Sequence, residues 1–145
     1  MTATLTGHCH CGAIRVELDP GKPVAELALR ACQCGFCRRH GARTTSDPLS
    51  RLHIEAAPGA LARYRFGRRA VDALICDECG VYVASMLEAE GRTVATLNVA
   101  GVDLAAFADR AAEPSHYDDE TDEARLARRL SRWTPTVLVE TNPSA

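Results

Sequence analysis

The sequence predicts a mainly β fold with one short helix near its C-terminal end, drawn together through its cysteines. Three observations carry this expectation. Segments such as Ile14-Arg15-Val16-Glu17-Leu18 alternate apolar and polar residues at the period of a half-buried strand. Turn formers punctuate the chain at Asp19-Pro20-Gly21, Pro58-Gly59 and Glu90-Gly91. Seven cysteines fall into three groups, Cys9/Cys11, Cys32/Cys34/Cys37 and Cys76/Cys79, spaced to grip something small rather than to form a disulfide framework.

The elements follow in order. After a polar lead, Gly7 to Gly12 opens the fold, and residues 13–18 form the first strand. Residues 24–31 read as a second strand, with Leu27 and Leu29 on one face, running straight into the cysteine triple. Residues 34–40 suit a tight turn or a single helical turn. A short strand over 43–46 ends at Asp47-Pro48, and Leu52 and Ile54 mark another. Residues 61–66 and 70–75 pair through a turn near Gly67. Cys76-Asp77-Glu78-Cys79-Gly80 has the outline of a knuckle, and residues 81–87 and 93–99 are the clearest remaining strands. The acidic run 118–123 suits the first turn of a helix. Leu126, Leu130 and Trp133 recur at helical spacing with arginines between them, and Pro135 follows the helix end. Val137 to Val139 adds a last strand. No repeat, low-complexity segment or linker interrupts residues 1–145, so a single domain is expected.

Composition narrows the function classes. The net charge of −2 gives no basic footprint for nucleic acid. The start of the chain lacks a signal-peptide pattern and no apolar run is long enough to span a bilayer, so a reducing cytoplasm is the expected setting. There, clustered cysteines bind metal more often than they form disulfides.

The cysteines divide four and three. Structural zinc is closed by four protein ligands, whereas catalytic zinc takes three and keeps a position open. Cys76 and Cys79 have the two-residue gap of a zinc knuckle. Cys9 and Cys11, one residue apart, can share a metal if alternate strand residues point the same way. Two unrelated buried thiol pairs are the bland alternative. For Cys32, Cys34 and Cys37 the alternative is a second closed site with His40 as fourth ligand. Three thiolates make zinc a weak Lewis acid but a good holder of soft sulfur, so the open position suits a substrate thiol. Arg38, Arg39 and Arg43 follow the triple and are candidates to bind carboxylates of that thiol; the alternative is an exposed arginine face.

Gly7-His8-Cys9-His10-Cys11-Gly12, Cys32-Gln33-Cys34-Gly35-Phe36-Cys37-Arg38-Arg39 and Cys76-Asp77-Glu78-Cys79-Gly80 together resemble the glutathione-dependent formaldehyde-activating enzyme family, which also contains centromere protein V. The likeness runs from about Thr6 to Val99. It implies a β-tent fold of several coiled antiparallel sheets. It also implies two zinc ions: a structural one on Cys9, Cys11, Cys76 and Cys79, and a catalytic one on Cys32, Cys34 and Cys37. The implied activity is a carbon–sulfur lyase reaction joining glutathione and formaldehyde.

The expectation is therefore a zinc-dependent carbon–sulfur lyase acting on a small thiol, glutathione being one candidate, and a small aldehyde. His40, Tyr64 and His116 are the candidate proton donors. No nucleic-acid or membrane partner is expected, and homo-oligomerisation is left open. The rival from another class is a zinc-stabilised binding or scaffold module without turnover.

Overall fold

The computed structural model describes residues 3–141. Eleven strands join into one hydrogen-bonded sheet among these residues, eight of them along one path and three branching from it, and a single helix exceeds two turns, so the mainly β expectation holds. β1 (Leu5–His8) and β2 (Ile14–Asp19) form a hairpin, and β2 continues antiparallel onto β5 (Arg51–Ala56). In β2 the alternation is complete, with Ile14, Val16 and Leu18 buried and the intervening residues exposed. β6 (Leu61–Tyr64), β7 (Asp72–Cys76), β8 (Tyr82–Ala89) and β9 (Arg92–Asn98) form an antiparallel meander. β11 (Thr134–Glu140) is the joint between the two regions. Its first two residues pair with β9, and the remainder runs parallel to β5.

The sheet is thus not wholly antiparallel. A second parallel pairing unites β3 (Arg30–Cys32) with β10 (Glu113–Ser115), the last strand of the path. Pro114 fits there because an edge strand can spare a backbone donor. β4 (Thr44–Thr45) links β3 to β9 and is shorter than the strand expected over 43–46.

Residues 24–31 depart from expectation. Val24–Glu26 form a 3₁₀ turn, Leu27–Leu29 run without a sheet partner, and only Arg30–Cys32 is a strand. Leu27 and Leu29 are nevertheless buried. Their alternation reported extended backbone facing a core; it did not report pairing.

The main core lies under β2, β5, β8 and β9 and includes Ile14, Ile54, Val83 and Leu97, with Phe107 fully buried from the connection after β9. A separate apolar cluster docks α2 (Asp122–Arg132). Leu130, with Trp133 just past the helix end, packs on Leu87 and Val94 of the meander. Leu126, expected on the same stripe, is exposed. Thr121 caps α2 by accepting from the Ala124 N–H at 3.1 Å, and Asp122 and Glu123 occupy the first turn, where the helix dipole favours negative charge.

Candidate metal centres and the arginine-walled cavity

The two groups of sulfur atoms are built by different local structures. Cys9 and Cys11 lie in the turn of the β1–β2 hairpin and not along a strand. Gly12 N–H donates to the Cys9 carbonyl at 3.0 Å, Cys9 N–H donates to the Ile14 carbonyl at 3.0 Å, and Ile14 N–H points at Cys9 Sγ at 3.3 Å. Cys76 ends β7 and Cys79 follows in a tight knuckle. Gly80 N–H donates to the Cys76 carbonyl at 2.8 Å, with Gly80 at φ 79°, a conformation an L side chain resists. Two turns from distant parts of the chain thereby face one another. Cys9 Sγ lies 3.8 Å from Cys11 Sγ, and Cys11 Sγ lies 3.6 Å from Cys76 Sγ. All four sulfurs fall within 4.8 Å of one another.

Those separations fit a metal. Tetrahedral zinc with sulfur at about 2.3 Å places its ligands about 3.8 Å apart. The thiols also differ in readiness to lose a proton. Burial pushes Cys76 up to about 12. For Cys79, burial is outweighed by the Cys11 and Val81 N–H groups and the Cys76 thiol, which bring it down to about 6.

The second group is local. Cys32 ends β3, Cys34 caps α1 (Gly35–His40), and Cys37 sits in its first turn. Cys34 Sγ accepts from the Cys37 N–H at 3.4 Å. α1 ends at Gly41, left-handed at φ 56°, whose N–H returns to the Arg38 carbonyl. The three sulfurs lie within 4.8 Å of one another, and His40 does not join them. Instead the His40 ring lies 4.4 Å from Phe36 and 5.6 Å from Tyr82. Cys37 donates to Cys32 and is pushed up by keeping that proton and by burial. Cys32 is pulled down to about 5 by that donation, with the positive charge of Arg128 assisting. Metal binding at the triple would take the remaining protons off its thiols.

The two groups are mechanically connected. The knuckle runs through Val81 into β8, where Tyr82 is buried against Cys37, Ala42 and Ala73. Asn98 clamps this junction, its Nδ2 donating to the Tyr82 carbonyl at 2.9 Å and its Oδ1 accepting from the Arg43 N–H at 3.0 Å.

A cavity of about 370 Å³ has the triple in its wall. Tyr82 and Ser85 both line it, and their hydroxyls lie 2.5 Å apart. Burial pushes the Tyr82 phenol up, so it stays protonated at neutral pH. Phe66 closes another side, stacked on Phe36 at 4.9 Å. Of the proton donors expected from sequence, only His116 lines the cavity. Tyr64 stacks outside it, against Phe36 and Phe66, and is half exposed.

The arginines expected at this site are also elsewhere. Arg38 Nε donates to the Gln33 carbonyl, Arg39 to the Gly35 carbonyl, and Arg43 to the carbonyls of Phe107 and Arg110. None of the three lines the cavity. Its cationic wall comes from α2, through Arg125, Arg128 and Arg129, with Arg30 from β3 and Arg68 and Arg69 from the loop before β7. Arg128 is fixed by a bidentate pair with Glu120, at 2.9 Å between Nε and Oε2, and by Tyr117 stacked 3.7 Å below its guanidinium. Burial, and then the charges of Arg128 and Arg125, lower Arg129 to about 10. Nothing short of the folded structure places α2 beside β3. The one sequence signal was an arginine at every helical turn on the face next to Trp133.

Comparison with known proteins agrees with this arrangement. The family model described as glutathione-dependent formaldehyde-activating enzyme matches residues 4–118, a span that holds all seven cysteines and ends before α2. A crystal structure of a Rhodobacter sphaeroides protein is similar at 29% identity and a TM-score of 0.55, covering 77% of this chain and 100% of its own. The chain belongs to the glutathione-dependent formaldehyde-activating enzyme family.

Proposed function

We propose that this protein is a zinc-dependent carbon–sulfur lyase of the glutathione-dependent formaldehyde-activating type. Cys9, Cys11, Cys76 and Cys79 hold a structural zinc, and Cys32, Cys34 and Cys37 hold a catalytic one. The observation that carries this reading is the contrast between the two groups. Four sulfurs from two turns gather within 4.8 Å of one another, whereas three sulfurs form part of the wall of a cavity large enough for a small thiol. The same reading takes residues 1–145 as one domain working in a reducing cytoplasm. Among the described residues no helix is long and apolar enough to cross a membrane.

Zinc on three thiolates supplies weak Lewis acidity and a site that holds a fourth sulfur as thiolate. The rest falls to the protein. The arginine wall orients the acidic end of the thiol, leaving its sulfur toward the triple. Phe66, Trp133 and Tyr117 line the remaining wall and limit access of water. The substrate sulfur then adds to the aldehyde carbon, forming a carbon–sulfur bond while the carbonyl π pair moves to oxygen. We assign the proton given to that oxygen to the hydroxyl pair of Tyr82 Oη and Ser85 Oγ. The proton lost by the thiol on binding goes to solvent and returns to the pair, so the sum is thiol plus aldehyde giving hemithioacetal.

Carbon-13 NMR of labelled formaldehyde mixed with a thiol measures this directly. Zinc-loaded protein should accelerate exchange between formaldehyde hydrate and hemithioacetal, and Cys34→Ser should lose that acceleration while remaining folded. Absence of acceleration with every small thiol tried would leave a zinc-stabilised binding or scaffold module as the function.

A further inference from the structure

Two guanidinium groups lining the cavity each leave one donor unsatisfied. Arg125 Nε and Arg129 Nε are both buried and neither has a hydrogen-bond acceptor. A buried guanidinium donor without an acceptor is costly, and an anionic oxygen is the partner that removes the cost. The two residues are four apart, on one face of α2. Their remaining contacts hold them in place without neutralising them. Arg125 Nη2 donates to the Tyr117 carbonyl at 2.8 Å, and Arg129 lies over the Trp133 ring at 5.2 Å. Arg68 pairs with Asp122 and Arg128 with Glu120, but Arg30, Arg125 and Arg129 have no carboxylate partner among the described residues. Among the described residues Asp118 is the only carboxylate lining the cavity, and it is exposed.

We propose that Arg125 and Arg129 form an anion site that selects, as the thiol substrate, one whose far end is a dianion without an adjacent ammonium group. The dianion is a phosphate or a pair of carboxylates. This rests on the lyase reading for the word substrate, but the anion site itself stands on α2. An ammonium group would enter a wall of guanidinium groups with little to receive it, so glutathione should be a poorer ligand than a thiol of equal negative charge lacking an amine. The helix that carries the site lies beyond residues 4–118, the span matched by the family model.

Calorimetric titration of zinc-loaded protein tests this with two kinds of probe. Inorganic phosphate and succinate, which have no thiol, report the anion site alone and separate its two sources. Mercaptosuccinate, glutathione and 2-mercaptoethanol report the thiol preference. Mercaptosuccinate should bind at least about tenfold more tightly than 2-mercaptoethanol. Arg125→Gln and Arg129→Gln should each remove roughly that factor while leaving the neutral thiol unchanged. In unaltered protein the preference should also fall steeply with added salt. Equal affinity for the three thiols in the unaltered protein, or phosphate and succinate both failing to bind, overturns the proposal whatever the variants do. Should an anion bind through Arg129 while no thiol binds, the anion site stands and the lyase reading fails. Should thiols bind regardless of charge, the lyase reading stands and this proposal fails.

Discussion

Removing the four-sulfur tie should cost far more stability than removing a ligand of the triple, and the difference follows from chain topology. Cys11 and Cys76 are 65 residues apart in sequence yet their sulfurs are 3.6 Å apart. A cross-link that closes a loop of this length withdraws about 4 kcal/mol of chain entropy from the unfolded state. The double variant Cys76→Ser/Cys79→Ser deletes one half of the tie and should lose most of that. Cys76→Ser alone leaves Cys79 attached and should fall between. For a chain of this size about 4 kcal/mol corresponds to roughly 10–15 °C in melting temperature. Cys32 and Cys37 span only one strand end and the first turn of α1, and a loop of about six residues is worth about 2 kcal/mol on the same scale. Serine at position 34 is also a good helix cap and keeps the bond to the Cys37 N–H. Cys34→Ser should therefore melt several degrees above Cys76→Ser/Cys79→Ser. Thermal unfolding followed by circular dichroism, with zinc measured on each sample, decides the matter. A Cys34→Ser loss equal to that of the double variant would refute the argument, because both groups would then be structural.

Three further outcomes follow from the same geometry. Asp72 is mostly buried; burial alone would raise its pKa, but Arg65 at 2.5 Å and Arg63 at 3.0 Å hold it below the ordinary carboxylate value. Its contribution to stability is therefore complete above about pH 4 and lost as pH falls through its depressed value; Asp72→Asn should flatten the acid limb of a denaturation-versus-pH curve, and an unchanged limb counts against the ion pairs. Leu130 anchors α2 on Leu87 and Val94 and is nearly buried, so Leu130→Ala should cost about 2–3 kcal/mol in chemical denaturation. It should also weaken phosphate or succinate binding while leaving zinc content unchanged. Finally, thiol binding should release close to one proton at neutral pH, since a free thiol has a pKa of about 8.5; titrations in buffers of different ionisation enthalpy measure it.

Much of this architecture is legible in the residues. Where one face meets a core and the other meets solvent, as in residues 14–18 and 51–56, period-two alternation identifies the strand. The sulfur groups are legible because short spacing alone brings Cys76 to Cys79 and Cys34 to Cys37. What sequence cannot convey is partnership. Leu27 and Leu29 alternate but belong to no strand, whereas Glu113-Pro114-Ser115 looks like a loop and becomes a strand against β3, more than 80 positions away. The same holds for the arginines. Arg38, Arg39 and Arg43 are adjacent to the triple in sequence, yet backbone carbonyls bind their side chains. Arg125 and Arg129 are remote, and long-range docking through Leu130 and Trp133 brings them to it.

The central claim is that the triple of Cys32, Cys34 and Cys37 holds zinc with room for a substrate thiol. Zinc-edge X-ray absorption of fully loaded protein, recorded before and after a saturating thiol, tests it most directly. With one zinc on four sulfurs and the other on three, the mean sulfur count per zinc should start near 3.5 and rise to about 4 on adding thiol. A spectrum indifferent to every thiol at millimolar concentration, with a nitrogen ligand such as His40 already on the second metal, contradicts the claim.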